Sequence, residues 1–130
     1  MTCRTRLILF LALEMLLFVA ASLVHAGFLF AGYEHGRAAT AEGVIGAVLA
    51  LGLIASLMQP APAPVLALVV QGFALLGTLV GAFTIAIGAG PQTRADILFH
   101  AILLLVLIPG VIVAWKARRR AFLRGAQEDA

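Results

Sequence analysis

The sequence predicts an all-α, polytopic membrane protein with four transmembrane helices in an up-down-up-down bundle, both termini on the cytoplasmic side (N-in/C-in). Three observations carry that expectation. Hydrophobic residues make up 63% of the 130-residue chain and charged residues only 12%, at a mean hydropathy of +1.11, whereas soluble domains carry roughly 25% charged residues. The apolar share is about 82 residues, close to the ~80 that four spans of ~20 residues need. The stretch from Gly43 to Thr93 holds no Asp, Glu, Lys or Arg. Third, Arg4, Arg6, Lys116, Arg118, Arg119, Arg120 and Arg124 lie near the chain ends, and only Arg37 and Arg94 lie between. Basic residues collect on the cytoplasmic side, which fixes the orientation.

The same arithmetic excludes other classes. A soluble fold of this length cannot hide so much apolar surface, and disorder requires the opposite composition. The single Cys3 rules out an internal disulfide framework. The basic tail directly follows an apolar run, which makes it a topology signal and a contact for anionic lipids rather than a nucleic-acid-binding arm.

Span one is read as Leu7–Gly32, ~39 Å at ~1.5 Å per residue, so it must tilt or protrude. Arg4, Arg6, the apolar run and Val24-His25-Ala26 also resemble a signal peptide cleaved after Ala26. The run is longer than the usual apolar region of such a peptide, contains Glu14 and continues through Phe28-Leu29-Phe30, which favours an uncleaved helix. Span two, Ala41–Met58, is ~27 Å long and barely crosses. Gln59-Pro60-Ala61-Pro62-Ala63-Pro64 cannot continue a helix and makes a tight turn. Span three is Val65–Gly88 and span four Ile97–Trp115, kinked by Pro109-Gly110. Residues 116–130 form a cytoplasmic basic tail of a single four-helix domain. Trp115 and Tyr33 mark the two interfaces.

Small residues predict the packing. Gly77-Thr78-Leu79-Val80-Gly81 is a GxxxG pattern, and Gly46, Ala50, Gly52 and Ser56 extend the theme to span two, both read as contacts inside the bundle. The two outer connections invite comparison as a duplicated hairpin. Each has an Arg followed by an acid opening the next helix (Arg37 with Glu42, Arg94 with Asp96), and Ala26-Gly27-Phe28 parallels Gly81-Ala82-Phe83.

Glu14 is the most unusual residue, roughly 10 Å inside span one at ~1.5 Å per residue. A charged side chain there costs about 2.5–3.5 kcal/mol on insertion scales. Gln71 lies at nearly the same depth in span three, and a Glu14–Gln71 hydrogen bond would satisfy both. His25 is eleven residues beyond Glu14 and only ~20° away around the helix, so Glu14, Phe18, Ala21, His25 and Gly32 share one inward face. Asp96 and His100 share a face of span four, where Asp96 could orient the imidazole. Tyr33, Glu34, His35, Arg37, Glu42 and Arg94 surround the outer mouth. Each has a structural reading too. Thr93-Arg94-Ala95-Asp96 has the spacing of a capping box, Thr40 with Glu42 opens span two, and Glu34, His35 and Arg37 are solvated loop residues. His25 and His100 hydrogen-bond within the bundle or, at matched depth, ligate a haem or metal. No CxxCH or HExxH spacing supports the latter.

At Gln71–Gly81 and Gly88–His100 the chain resembles uncharacterised small four-helix bacterial inner-membrane proteins. That resemblance implies an inner-membrane location and assigns no activity. Through Glu14 the first span is also similar to small multidrug resistance transporters, while the histidines and the proline turn depart from their pattern. The leading functional expectation is a non-enzymatic accessory or interaction protein without a cofactor. Its partners would be the bilayer, anionic lipids at Lys116, Arg118, Arg119 and Arg120, and either a second copy or another membrane protein. The alternatives are a small proton-coupled transporter using Glu14, and a haem- or metal-binding protein using His25 and His100.

Overall fold

A computed structural model describes residues 2–128. Met1, Asp129 and Ala130 lie outside the described residues, and with them the end of the expected tail. The chain is all-α: α1 Cys3–His25, α2 Gly36–Met58, α3 Ala63–Ala86 and α4 Arg94–Glu128. Each helix is long and apolar enough to cross a membrane.

Helix ends explain where these boundaries depart from the expected spans. Thr2 caps α1 by accepting the Thr5 backbone N–H at 3.1 Å. At the other end Phe28 N–H donates to Leu23 C=O and Gly27 N–H to Val24 C=O, with Gly27 at φ +80. This pairing closes off the last carbonyls and needs a residue tolerant of positive φ. The helix therefore stops at His25, seven residues short of the expected Gly32, and Gly32 leaves the inward face for the loop. α3 ends the same way, with Ala89 N–H on Thr84 C=O, Gly88 N–H on Ile85 C=O and Gly88 at φ +77. The equivalent points of the two hairpins are thus Ala26-Gly27-Phe28 and Ile87-Gly88-Ala89. Gly81-Ala82-Phe83, the expected counterpart, lies inside α3.

α2 begins five residues before the expected Ala41, because His35 Nδ1 accepts the Ala38 N–H at 3.2 Å and serves as the cap. Arg37, Thr40 and Glu42 are consequently helical. Thr40 Oγ1 donates back to Gly36 C=O at 2.9 Å and caps nothing. α4 runs unbroken through Pro109 and past Trp115, ~52 Å at ~1.5 Å per residue. Its extension, Lys116 to Gln127, is built mostly of Ala, Arg, Lys, Leu and Gln, all good helix formers, so the expected tail continues the helix as far as it is described.

The buried faces repeat at three and four residues. In α1 they are Leu7, Leu11, Glu14, Phe18, Ala21 and His25, and in α2 Glu42, Ile45, Gly46, Leu49, Gly52 and Ser56. That 3.5-residue period is the one that keeps a seam facing its neighbours in bundles. Outside the seam the surface is apolar, with Leu51, Val69 and Leu105 each more than 60% exposed, as a lipid-facing surface would be. α1 packs against all three other helices and α3 against α2 and α4, whereas α2 and α4 nowhere approach within 8 Å between Cα atoms. The small residues work inside the bundle. A Cβ on Gly46 would lie 3.3 Å from Val19, one on Gly52 2.6 Å from Val70, one on Gly77 2.6 Å from Ile45 and one on Gly81 2.6 Å from His100.

Candidate functional site

Two polar layers interrupt the apolar seam, and α1 contributes to both. At one end, His25 closes α1 and is 5% exposed. Its Nδ1 lies 2.7 Å from Glu42 Oε2 of α2, and its Nε2 3.0 Å from Asp96 Oδ1 of α4. Asp96 is fixed in turn by a reciprocal cap. Its Oδ2 accepts the Thr93 N–H at 3.0 Å and the Thr93 hydroxyl at 2.5 Å, while its own N–H donates to Thr93 Oγ1 at 3.2 Å. The capping-box spacing therefore forms, and one carboxylate both starts α4 and holds a histidine from α1.

Proton counting defines the cluster's chemistry. Each of the two N···O contacts requires one proton, so two protons are shared among His25, Glu42 and Asp96. With two carboxylates and one imidazole, those two protons alone leave a net charge of −1, and a third on the Glu42 oxygen that does not face His25 leaves the cluster neutral. Ser22 adds a second tie between α1 and α2, its hydroxyl donating to Ala39 C=O at 2.8 Å.

His100 joins this end differently from expectation. Its Nδ1–H donates to the backbone carbonyl of Asp96 at 2.8 Å, because residues four apart on a helix put the ring over that carbonyl. The Asp96 carboxylate, already taken by Thr93 and His25, does not orient it. The His100 Nε2 lies against Gly81 of α3. His35, whose Nδ1 accepts the Ala38 N–H, carries its ring proton on Nε2, and its ring stands edge-on to His25 at 6.4 Å.

The remaining outer candidates do not join the cluster. Tyr33 and Arg94 are exposed. Glu34 folds back over the loop, accepting the Gly32 N–H at 2.9 Å. Bonds from its own backbone N–H and then from Gly32 hold its carboxyl below the usual carboxylate range. Among the described residues Arg37 makes no salt bridge; the ion-pair contacts there are those of His25. Arg37, Glu42, His35, Thr84 and His100 instead line a cavity of about 520 Å³ between α2, α3 and α4.

The second layer lies halfway along α1. Gln71 Nε2 donates to Glu14 Oε1 at 3.0 Å, the bond expected from their matched depth. Both side chains are fully buried. Gly110 of α4 covers the pair, and a Cβ there would overlap Glu14 Oε1 and lie 2.8 Å from Gln71 Nε2. Glu14 Oε2, Gln71 Oε1 and Ser56 Oγ are buried without a hydrogen-bond partner.

Neither layer fits a haem or a metal ion well. Both His25 nitrogens face carboxylate oxygens, so ligation by His25 would first have to break a buried hydrogen bond, and His100 Nε2, though without such a bond, is packed against Gly81. Among the described residues no group of three or more His, Cys, Asp or Glu is arranged to hold a metal.

Sequence reasoning missed one member, Gly110, and placed another, Glu42, at the outer mouth without its partners. Glu42 looked like a helix-start acid, yet it stands one heptad before buried Leu49 and two before buried Ser56, a phase that was readable. Gly110 looked like part of a proline kink, and nothing local marks it as the lid of a carboxyl group on another helix. The chain matches no protein-family model, no curated protein and no solved structure.

Proposed function

We propose that this chain is a small, non-enzymatic integral protein of the bacterial inner membrane, an accessory or interaction protein whose buried polar groups clasp its helices together. Its helices run up-down-up-down with both termini in the cytoplasm, and the basic rim from Lys116 to Arg120 meets anionic lipid headgroups. The orientation is supported by the distribution of basic residues, and the antiparallel course of α1 and α2 by Arg4, whose guanidinium reaches Leu57 C=O at 3.1 Å. Arg4 also shares a groove with Pro60, Arg120 and Arg124. The observation that carries the functional reading is His25, with both ring nitrogens engaged by carboxylates from two other helices. An imidazole so engaged ties α1, α2 and α4 together and has no free nitrogen for a ligand.

Two measurements test this. With an impermeant maleimide on intact spheroplasts, a Tyr33→Cys side chain should be labelled and Cys3 protected, and the reverse pattern would overturn the orientation. Purified protein should show neither a Soret band nor stoichiometric metal. A proton-coupled transporter is the second reading, favoured by the unpartnered buried Glu14 Oε2. A Glu14→Gln protein that folds normally but abolishes proton-coupled flux in vesicles would establish it instead.

A further inference from the structure

We propose that the cleft between α2, α3 and α4 is a binding site for a long-chain carboxylate, with its head on Arg37 and its tail along the α2–α3 groove. Two voids make up this feature. The inner one, about 520 Å³, reaches from Arg37 to His100. The outer one, about 760 Å³, lies between α2 and α3 beside Val44 and Phe73. They share Arg37, Ala41, Ile45, Phe73 and Gly77 as walls and therefore lie side by side. The inner one falls in the roughly 300–1,000 Å³ range of small-molecule sites, and the outer one is an open groove on the bundle surface. The cleft exists because α2 and α4 do not meet, and the His100 ring, packed against Gly81 of α3, forms part of its wall.

The polar groups lie at one end and select the head. Arg37 has no salt-bridge partner among the described residues, and its guanidinium is a fork suited to an oxyanion. His35 Nε2–H, on the same rim, is a second donor. Glu42, whose carboxyl group is bonded to His25, lines the inner void. A dianionic phosphomonoester would be disfavoured beside that carboxyl group, whereas a singly charged oxyanion such as a carboxylate matches the single charge of Arg37. The rest of the groove is apolar, and Val44 and Phe73 are 51% and 44% exposed on the lipid-facing side. A single chain can therefore enter sideways from the bilayer with its head level with Arg37.

The test is saturation binding of radiolabelled palmitate to the full-length protein in detergent. One palmitate per chain is expected, with hexadecanol, the same tail without charge, competing on the order of ten-fold less well. Arg37→Gln should weaken palmitate binding on the order of ten-fold, and Ala41→Trp, on the exposed groove wall, should remove it. Non-saturable uptake, equal competition by hexadecanol, or unchanged affinity in correctly folded Arg37→Gln protein would each overturn the proposal. The hexadecanol arm uses unmodified protein and so does not depend on any variant folding. This site borders the His25 clasp through Glu42, yet its failure would leave the stability effect of His25→Ala untouched.

Discussion

The two polar layers of α1 lie on one face, eleven residues apart, and differ in how completely they are paired. At His25 both ring nitrogens and both Asp96 oxygens have partners, and the Glu42 oxygen facing His25 is taken. At Glu14 a single hydrogen bond joins two side chains, and one oxygen of each is left alone. The His25 layer can draw on loop and cap groups, since Thr93 supplies two donors from outside the apolar seam. The Glu14 layer is enclosed mid-helix, where every backbone N–H is already committed to its own helix. A polar cluster in a membrane bundle is thus easiest to satisfy at a helix end, and a mid-helix polar pair has only other side chains to work with.

That contrast predicts unequal costs of substitution. His25→Ala should be the most damaging change, about 3–5 kcal/mol, because it leaves two buried carboxylates facing each other without a counterpart. Equilibrium unfolding in mild detergent measures it, and a loss below about 1 kcal/mol would mean that the cluster is not a clasp. Gly110→Ala comes next at about 1–3 kcal/mol, since the new methyl must displace the Glu14–Gln71 pair against close packing. Equal stability of this variant would show that α4 does not sit over the pair as described. Glu14→Gln should change stability by less than about 1.5 kcal/mol in either direction, because the substituted amide can still accept from Gln71 Nε2 and can also donate to the unpartnered Gln71 Oε1. A cost as large as that of His25→Ala would erase the distinction between the layers.

Much of this was legible in the sequence, for definite physical reasons. Four apolar runs, the proline turn and the Thr93–Asp96 cap are local signals, and local signals survive into the fold. The Glu14–Gln71 bond could be read because depth in a membrane is a one-dimensional coordinate that two helices share. The partnership of His25 with Glu42 and Asp96 was not read. It depends on rotation about two other helix axes and on α1 stopping at His25, with Gly27 in the cap, rather than at Gly32. Gly27 itself was visible, but its positive φ depends on a cap formed with Leu23 and Val24. Continuous hydrophobicity through Phe30 masked that stop, since loop residues that stay apolar look helical by composition alone.

The smallest expected effect concerns Glu34, the exposed counterpart of the buried carboxyl groups. Its side chain lies over the cap of α1, where a Cβ on Gly27 would come 3.0 Å from Glu34 Cγ. Its Oε2 holds the Gly32 N–H at φ +90. Because these backbone donors favour the charged form, the folded carboxyl titrates below its unfolded counterpart. The stabilisation is therefore present at neutral pH, above the unfolded value, and is lost only as pH falls through the lower, folded value. Carbon-detected NMR of the Glu34 carboxyl should give a midpoint below the usual range, and the Gly32 amide proton should shift with the same midpoint. A Gly32 amide indifferent to that titration would remove the bond, and with it the account of how the loop closes over α1. Glu34→Gln should abolish the shared titration while leaving the unfolding free energy of the His25 layer unchanged. That outcome separates a solvated carboxylate that shapes one turn from the buried ones that join helices.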